Sequence, residues 1–212
     1  EVRMKKTIVT DIDGVVLDWE EGFSIWMEHH GHKKVEGYQF MYKIGDRYGI
    51  SNNQGHKLIK TFNESAAIGF LPPLRDAQYF VKKLHEQHQY DFVALTSLSL
   101  DKHAQALRER NLKKLMGDAF IEVVCLDTGA DKDEILKEYG AKYPGAYWIE
   151  DKPENVNWGI DAGLDGVLLE HGHICEENNL QYILPYLFSL DLEHQSCALN
   201  LMQLQDLFVD HE

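Results

Sequence analysis

Four short clusters in this 212-residue chain carry side chains able to do chemistry together: Asp11-Ile12-Asp13-Gly14, Thr96-Ser97, Lys132 and Glu150-Asp151. Asp11 and Asp13 are two positions apart, so at the end of a strand both carboxylates emerge on the same side. Two carboxylates about 5 Å apart repel by roughly 3 kcal/mol at an effective dielectric of about 20, on the order of two pKa units. A cation must support one of them, or one must hold a proton. A bound Mg²⁺ would support ionised Asp11, leaving Asp13 protonated and able to donate to a leaving oxygen. A carboxylate can also accept a phosphoryl group, splitting one hard displacement into two easier ones. Asp151 would add an oxygen ligand for a hard, octahedral ion that takes only one or two carboxylates. Thr96 and Ser97, with nearby backbone N–H groups, can hold phosphate oxygens, and Lys132 at a helix start can neutralise the remaining charge. Gly14 lets the chain turn away where a Cβ would obstruct it.

These clusters need elements that bring them to one place. Residues 6–12 are β-branched and apolar and read as a buried strand ending at Asp13-Gly14. Further strands are expected at 92–95, running into Thr96-Ser97, at 121–126, at 146–149, running into Glu150-Asp151, and at 166–169. Helical spacing covers 77–87, 103–115, 132–139 and 155–162. Strands alternating with helices imply parallel βαβ units, hence an α/β protein with a three-layer, Rossmann-like parallel sheet. In such sheets ligands bind beyond the carboxyl ends of the strands, where the polar clusters stand.

Residues 18–71 have a different character: aromatics alternate with Gly, Asn, His and Lys without strand periodicity, which reads as a helical insert closed by Pro72-Pro73. The core is thus expected in 1–17 and 72–175. Residues 176–212 carry apolar positions at helical spacing (Ile183, Leu184, Leu187, Leu190, Leu201, Leu204, Leu207) and read as a helical tail packed on the core or on a partner. Met4 reads as the native start, with Glu1–Arg3 as an added remnant.

A formal net charge of -14 opposes binding to nucleic acid or to an anionic membrane, since both need a basic surface. It leaves room for a small phosphorylated substrate, because an ion and a few local cations can reverse the field in one cleft. No apolar run reaches the roughly 18 residues of a membrane span, and the N-terminus lacks a signal-peptide pattern. Three widely spaced cysteines (Cys125, Cys175, Cys197) favour a reducing, cytoplasmic location over a disulfide framework.

The segment from Ile8 to Val16, with its Asp11-Ile12-Asp13-Gly14 centre, resembles the first motif of the haloacid dehalogenase superfamily of phosphatases. Phe92–Ser97 is similar to the second motif, Lys132 to the third and Glu150-Asp151 to the acidic fourth, in the same order across residues 4–170. The resemblance implies Asp11 as nucleophile, Asp13 as general acid/base that also gives its backbone carbonyl to Mg²⁺, and Asp151 as metal ligand; Glu150 reads equally as support for the ion from behind or as a structural residue. It implies that the insert is a small helical cap. Ile68–Leu74 and Glu150–Asn155 are similar to the corresponding segments of deoxyribonucleotide 5'-phosphatases, although Arg75-Asp76 stand where those relatives often have Gly-Ala. Lys142 is an alternative to Lys132 for the third motif.

The expectation is therefore a Mg²⁺-dependent phosphomonoester hydrolase working through an aspartyl-phosphate, on a small metabolite such as a nucleoside 5'-monophosphate. A sugar-phosphate phosphatase, a phosphomutase, or a non-catalytic binding protein with the same fold are the alternatives, and a homodimer is compatible with all of them. A calcium loop does not fit, because an EF-hand would need a ligand at Val15, Gly at Val16 and a later Glu. The aromatics Phe23, Trp26 and Tyr42 suit the insert's own core better than a base-stacking surface. Arg47, Lys43 and Lys57 read first as surface charges. His29, His30 and His32, like His171, His173 and Cys175, lack a complete zinc ligand set.

Overall fold

Five short β-branched and aromatic segments pair as strands: β1 (Lys6–Thr10), β2 (Tyr90–Thr96), β3 (Phe120–Cys125), β4 (Tyr147–Glu150) and β5 (Asp165–Leu168). The computed structural model describes residues 6–38, 41 and 43–169. The expected tail over 176–212, the His171, His173 and Cys175 group, Cys197 and Tyr42 lie outside the described residues. All strands are parallel, in the order β3-β2-β1-β4-β5. The helices are α1 (Trp19–His29), α2 (Ile44–Tyr48), α3 (Asn52–Asn63), α4 (Ala77–His88), α5 (Lys102–Met116), α6 (Asp133–Lys142) and α7 (Pro153–Asp161).

Helix starts follow side-chain chemistry. Asp18, Ser51 and Asp101 each accept a backbone N–H from the first turn of α1, α3 and α5, and Pro153 opens α7, where its missing N–H costs nothing. The first strand stops two residues earlier than its composition suggests. Asp11 N–H still bonds the Ile149 carbonyl, but Ile12 N–H turns to Asp11 Oδ1 at 2.7 Å, so the ladder ends and the chain enters a turn. Gly14 sits in that turn at φ 81°, a conformation that suits a residue without Cβ.

Alternation along the strands divides the core in two. Ile8, Phe92, Ala94 and Ile149 face Phe80, Val81 and Leu84 of α4 and Leu107, Leu112 and Met116 of α5. Val9, Val93, Leu95 and Trp148 face the other way, onto Leu136 and Tyr139 of α6 and Leu164. The result is a three-layer α/β sheet of the Rossmann-like kind. Between β1 and β2 the chain also forms α1–α3 and a 3-10 turn, Ala66–Phe70, gathered around Phe23, Phe62 and Met27. No helix among the described residues is long and apolar enough to cross a membrane.

The layer that carries α6 and α7 is packed without slack. A Cβ on Gly140 would stand 2.1 Å from the Ala162 carbonyl oxygen, a backbone atom that cannot swing aside. Gly140→Ala is therefore expected to destabilise by about 1–3 kcal/mol through overpacking, outweighing the roughly 1 kcal/mol that alanine gains in helix propensity. A lower urea midpoint with an unchanged m-value is the expected readout, and an unchanged or raised midpoint would show that the helices can separate at no cost.

Candidate active site

The strand order places β1 beside β4, where the sheet changes direction of growth, and a crevice opens at the carboxyl ends of such neighbours. Asp11 follows β1, Glu150 ends β4 with Asp151 just beyond, and Lys132 caps the start of α6. The Lys132 ammonium lies 2.8 Å from Asp11 Oδ2 and 2.8 Å from Glu150 Oε2, with only 3% of its side chain exposed. Burial alone would discharge this lysine, but the two carboxylates and their hydrogen bonds hold it protonated, its pKa above the usual lysine value. Lys142 stands elsewhere, half exposed and 2.8 Å from Glu122 Oε2.

The two carboxylates on Lys132 are not equivalent. Glu150 Oε1 accepts the Asp151 and Lys152 N–H groups, and Oε2 accepts Lys132 and the Asn155 amide. Burial would raise the Glu150 pKa, but Lys132 and those donors outweigh it and bring it down to about 2. Four donors use the lone pairs of this carboxylate, so it orients its neighbours and has little capacity left for a ligand. The Asp11 carboxylate accepts only Ile12 N–H and Lys132 among the described hydrogen bonds and ion pairs. Burial, then the charge of Glu150, raise its pKa well above the ordinary value, Asp151 adds to this, and Lys132 only partly offsets it. Carboxylate oxygens of Asp11, Glu150 and Asp151 lie within 4.8 Å of one another, a set that can hold a metal ion. With all three carboxylates ionised against one ammonium, two negative charges are left, matching a divalent cation, and the all-oxygen donors suit a hard one.

Asp13 is held from behind. Arg108 of α5, fully buried, places Nη2 at 2.7 Å from Asp13 Oδ1 and 3.0 Å from Oδ2. Its Nη1 lies 3.4 Å from the Thr96 hydroxyl, which is itself buried. The Ser97 hydroxyl donates to the Ala130 carbonyl at 2.8 Å. Thus Asp11, Asp13, Lys132, Glu150 and Asp151 share one sheet edge, Thr96 meets them through Arg108, and the Ser97 hydroxyl is engaged elsewhere.

In front of Asp13 a pocket of about 800 Å³ reaches from Gly14 and Asp151 to the helical insert. Trp19, Ile44, Ile59 and Leu74 give it apolar walls, with Lys43, Asn52, His56 and Glu20 among its polar lining. Arg47 lines it too although nearly buried, donating to Glu20 and to the Met41 carbonyl. Phe23 and Trp26 do not line it: they stack within the insert's core, with Trp26 against His30 at 3.9 Å. His29, His30 and His32 form no metal-holding group among the described residues, and Lys57 is a surface residue.

Sequence reasoning missed Arg108 and the polar lining contributed by Glu20, Asn52 and His56. A signal for Arg108 existed: it falls between Ala104 and Leu112 on the apolar stripe of α5, where a charge demands a partner. The pocket residues come from separate helices of an aperiodic segment and carried no such mark.

No family model matches the chain. It is 34% identical over 154 residues to an uncharacterized 32.4 kDa protein of the Gp30–rIII intergenic region of enterobacteria phage T4, an alignment covering 70% of this chain and 54% of that protein. The chain thus spans about half the length of the curated relative it matches. Its fold is similar to a haloacid dehalogenase-like hydrolase from Streptococcus pneumoniae (TM-score 0.58, 13% identity, 84% of this chain and 90% of that one). An L-2-haloacid dehalogenase from Xanthobacter autotrophicus shares it as well (0.51, 13%, 91% and 87%). So does a magnesium-bound haloacid dehalogenase-type hydrolase from Bacillus subtilis (0.50, 15%, 88% and 100%). These likenesses establish that the chain has the fold of the haloacid dehalogenase-like hydrolases.

Proposed function

We propose that this chain is a Mg²⁺-dependent phosphomonoester hydrolase with Asp11 as nucleophile and Asp13 as general acid/base. One observation carries the reading: Lys132 is shared by Asp11 and Glu150 at the sheet edge, with Asp13 and Asp151 opening from the same edge into one pocket. Asp11 and Asp151 would hold the ion, and Glu150 would fix their backbone and the lysine. When bound, the ion neutralises charge on the nucleophile and on the phosphoryl oxygens, so that the two can approach.

Asp11 attacks phosphorus while the bond to the leaving oxygen breaks, and Asp13 gives that oxygen a proton. Asp13 then takes a proton from water as the water attacks the aspartyl-phosphate, which frees Asp11 and inorganic phosphate. Lys132 stays against Asp11 throughout and offsets the charge that gathers there. A dehalogenase reading leaves too much unused: a departing halide takes no proton, which gives Asp13 no work, and an uncharged carbon centre needs no cation.

The pocket supports a leaving group with an apolar face and hydroxyls, since its walls are apolar and its polar groups carry both signs. A nucleoside 5'-monophosphate satisfies this, and a sugar phosphate tests the polar half alone. Phosphate release from a panel of both, with Mg²⁺ and with chelator, is expected to need the metal and to vanish in Asp11→Asn. Asp13→Asn is expected to lose roughly 100- to 10,000-fold in kcat/KM on alkyl phosphates. Metal-independent turnover, or full activity in Asp11→Asn, would sink the mechanism.

Stability should respond in the opposite sense to activity. A carboxylate whose pKa is raised by folding weakens the fold progressively as pH climbs from its unfolded value toward its folded one. Asp11→Asn is therefore expected to raise the melting temperature at neutral pH in chelator, by more at pH 7 than at pH 4. Mg²⁺ should stabilise the wild type and leave Asp11→Asn nearly unmoved. Glu150 behaves conversely: its contribution is present above the unfolded value and lost as pH falls toward about 2. Glu150→Gln should then be less stable than wild type, with the gap closing in acid.

A further inference from the structure

Arg108 is a costly residue to bury where it lies. It sits on the packed face of α5 with Ala104, Leu107, Asn111 and Leu112, and no part of it reaches solvent. Its Nε–H finds no acceptor among the described residues, so the guanidinium is only partly satisfied. Replacing both members of a buried ion pair by well-packed apolar side chains is often neutral or stabilising, so such a pair is weak evidence for a stabilising role. What the guanidinium does instead is grip one carboxylate: Nη2 donates to Asp13 Oδ2 at 3.0 Å and lies 2.7 Å from Oδ1, which accepts no hydrogen bond among the described residues. Asp13 has 22% of its side chain exposed, and that exposed side faces the pocket, whereas Arg108 is absent from the lining. Nη1 is anchored toward the Thr96 hydroxyl at the end of β2, so the arginine is referenced to the central sheet and not to the helical insert.

We propose that Arg108 is a positioning residue: it acts through Asp13 and aims that carboxylate at the oxygen of the departing group. The assignment rests on the phosphomonoesterase reading and adds to it a residue that touches neither substrate nor metal. The leaving group then decides how much Arg108 matters. A leaving alkoxide depends on a well-placed acid, whereas a nitrophenolate departs without a proton. Loss of Arg108 should hurt the first far more than the second, while a defect in packing, phosphate binding or metal binding would hurt both alike.

The test compares kcat/KM for p-nitrobenzyl phosphate and p-nitrophenyl phosphate in Mg²⁺, for wild type, Arg108→Met and Arg108→Lys. The two probes differ by one methylene, so pocket fit is nearly constant. In Arg108→Met we expect a fall of about 100-fold or more on the benzyl ester and less than about 10-fold on the phenyl ester. Arg108→Lys should recover part of the difference, since an ammonium can approach Asp13 but lacks the planar fork. Equal losses on both esters, or no loss on either, overturn the assignment while leaving the hydrolase reading intact. A wild type that releases phosphate from neither ester overturns that reading, and the positioning role with it. If Arg108→Met fails to fold, the ratio of the two losses in Arg108→Lys decides: above unity it supports the assignment, and at unity it overturns it.

Discussion

The rest of the site depends on one buried cation, the ammonium of Lys132, lying 2.8 Å from carboxylates at the ends of two neighbouring strands. An ammonium or carboxylate taken from water costs several kcal/mol, and the cost is met only where partners have good geometry. Glu150 has that geometry in full, through two backbone N–H groups, the Asn155 amide and Lys132. Asp11 does not, and the difference shows in opposite displacements of their pKa values from the ordinary carboxylate range. A satisfied carboxylate holds the lysine still, and an unsatisfied one is left with charge to use. A buried carboxylate compensated less fully than its neighbour has stability to gain from any cation or electrophile that approaches it.

The topology makes this arrangement available. Placing β1 between β2 and β4 brings Thr10 level with Ile149, and Asp11 N–H still bonds the Ile149 carbonyl as the strand ends. Asp11 and Glu150 are thereby neighbours although far apart in sequence. Lys132 arrives from the opposite layer because α6 begins beside this edge, and its stem packs near Trp148, with Nζ 5.4 Å from the ring centroid. Trp148 in turn donates to the Asn155 carbonyl, and its ring closes on Gly159, where a Cβ would stand 2.2 Å away. The helix α7, the indole and the carboxylate network thus support one another, and crowding behind the site limits how far its charges can relax.

Much of this was legible in the residues. Buried parallel strands write themselves as short β-branched runs, so five strands and four core helices fall within a few residues of where periodicity sets them. Polar clusters at three strand ends named the edge, because a polar residue directly after an apolar strand has few other places to go. Lys132 against Lys142 was open in sequence, since each is a lysine on the same helix. Geometry separates them: one is buried at Asp11, the other half exposed at Glu122. Ser97 and Arg108 show the limit. Periodicity reports which face is buried but says nothing of which hydroxyl a turn will consume, and Ser97 is consumed by the Ala130 carbonyl. Arg108 needs a partner supplied by a different strand, and no local pattern names a partner so distant.

The helical insert follows a different logic from the core. Its aromatics pack on one another, with Trp19 stacked on Phe23 at 4.7 Å, and its apolar side chains run on into the same cluster as the sheet, while a few polar links add direction. Asn63 accepts the Trp19 indole N–H and donates to the Leu98 carbonyl, Asn111 donates to the Leu71 carbonyl, and Ser99 donates to Glu64. Amide and hydroxyl links of this kind fix direction, yet each is worth only about 0.5–1.5 kcal/mol net, far less than an apolar interface of the same extent. Arg47 repeats within the insert what Arg108 does within the core: a nearly buried guanidinium spent on one carboxylate, here Glu20, at the rim of the same pocket. One arginine is referenced to the sheet and the other to the insert, so Asp13 and the pocket wall at Glu20 are each held by a buried guanidinium from their own part of the fold.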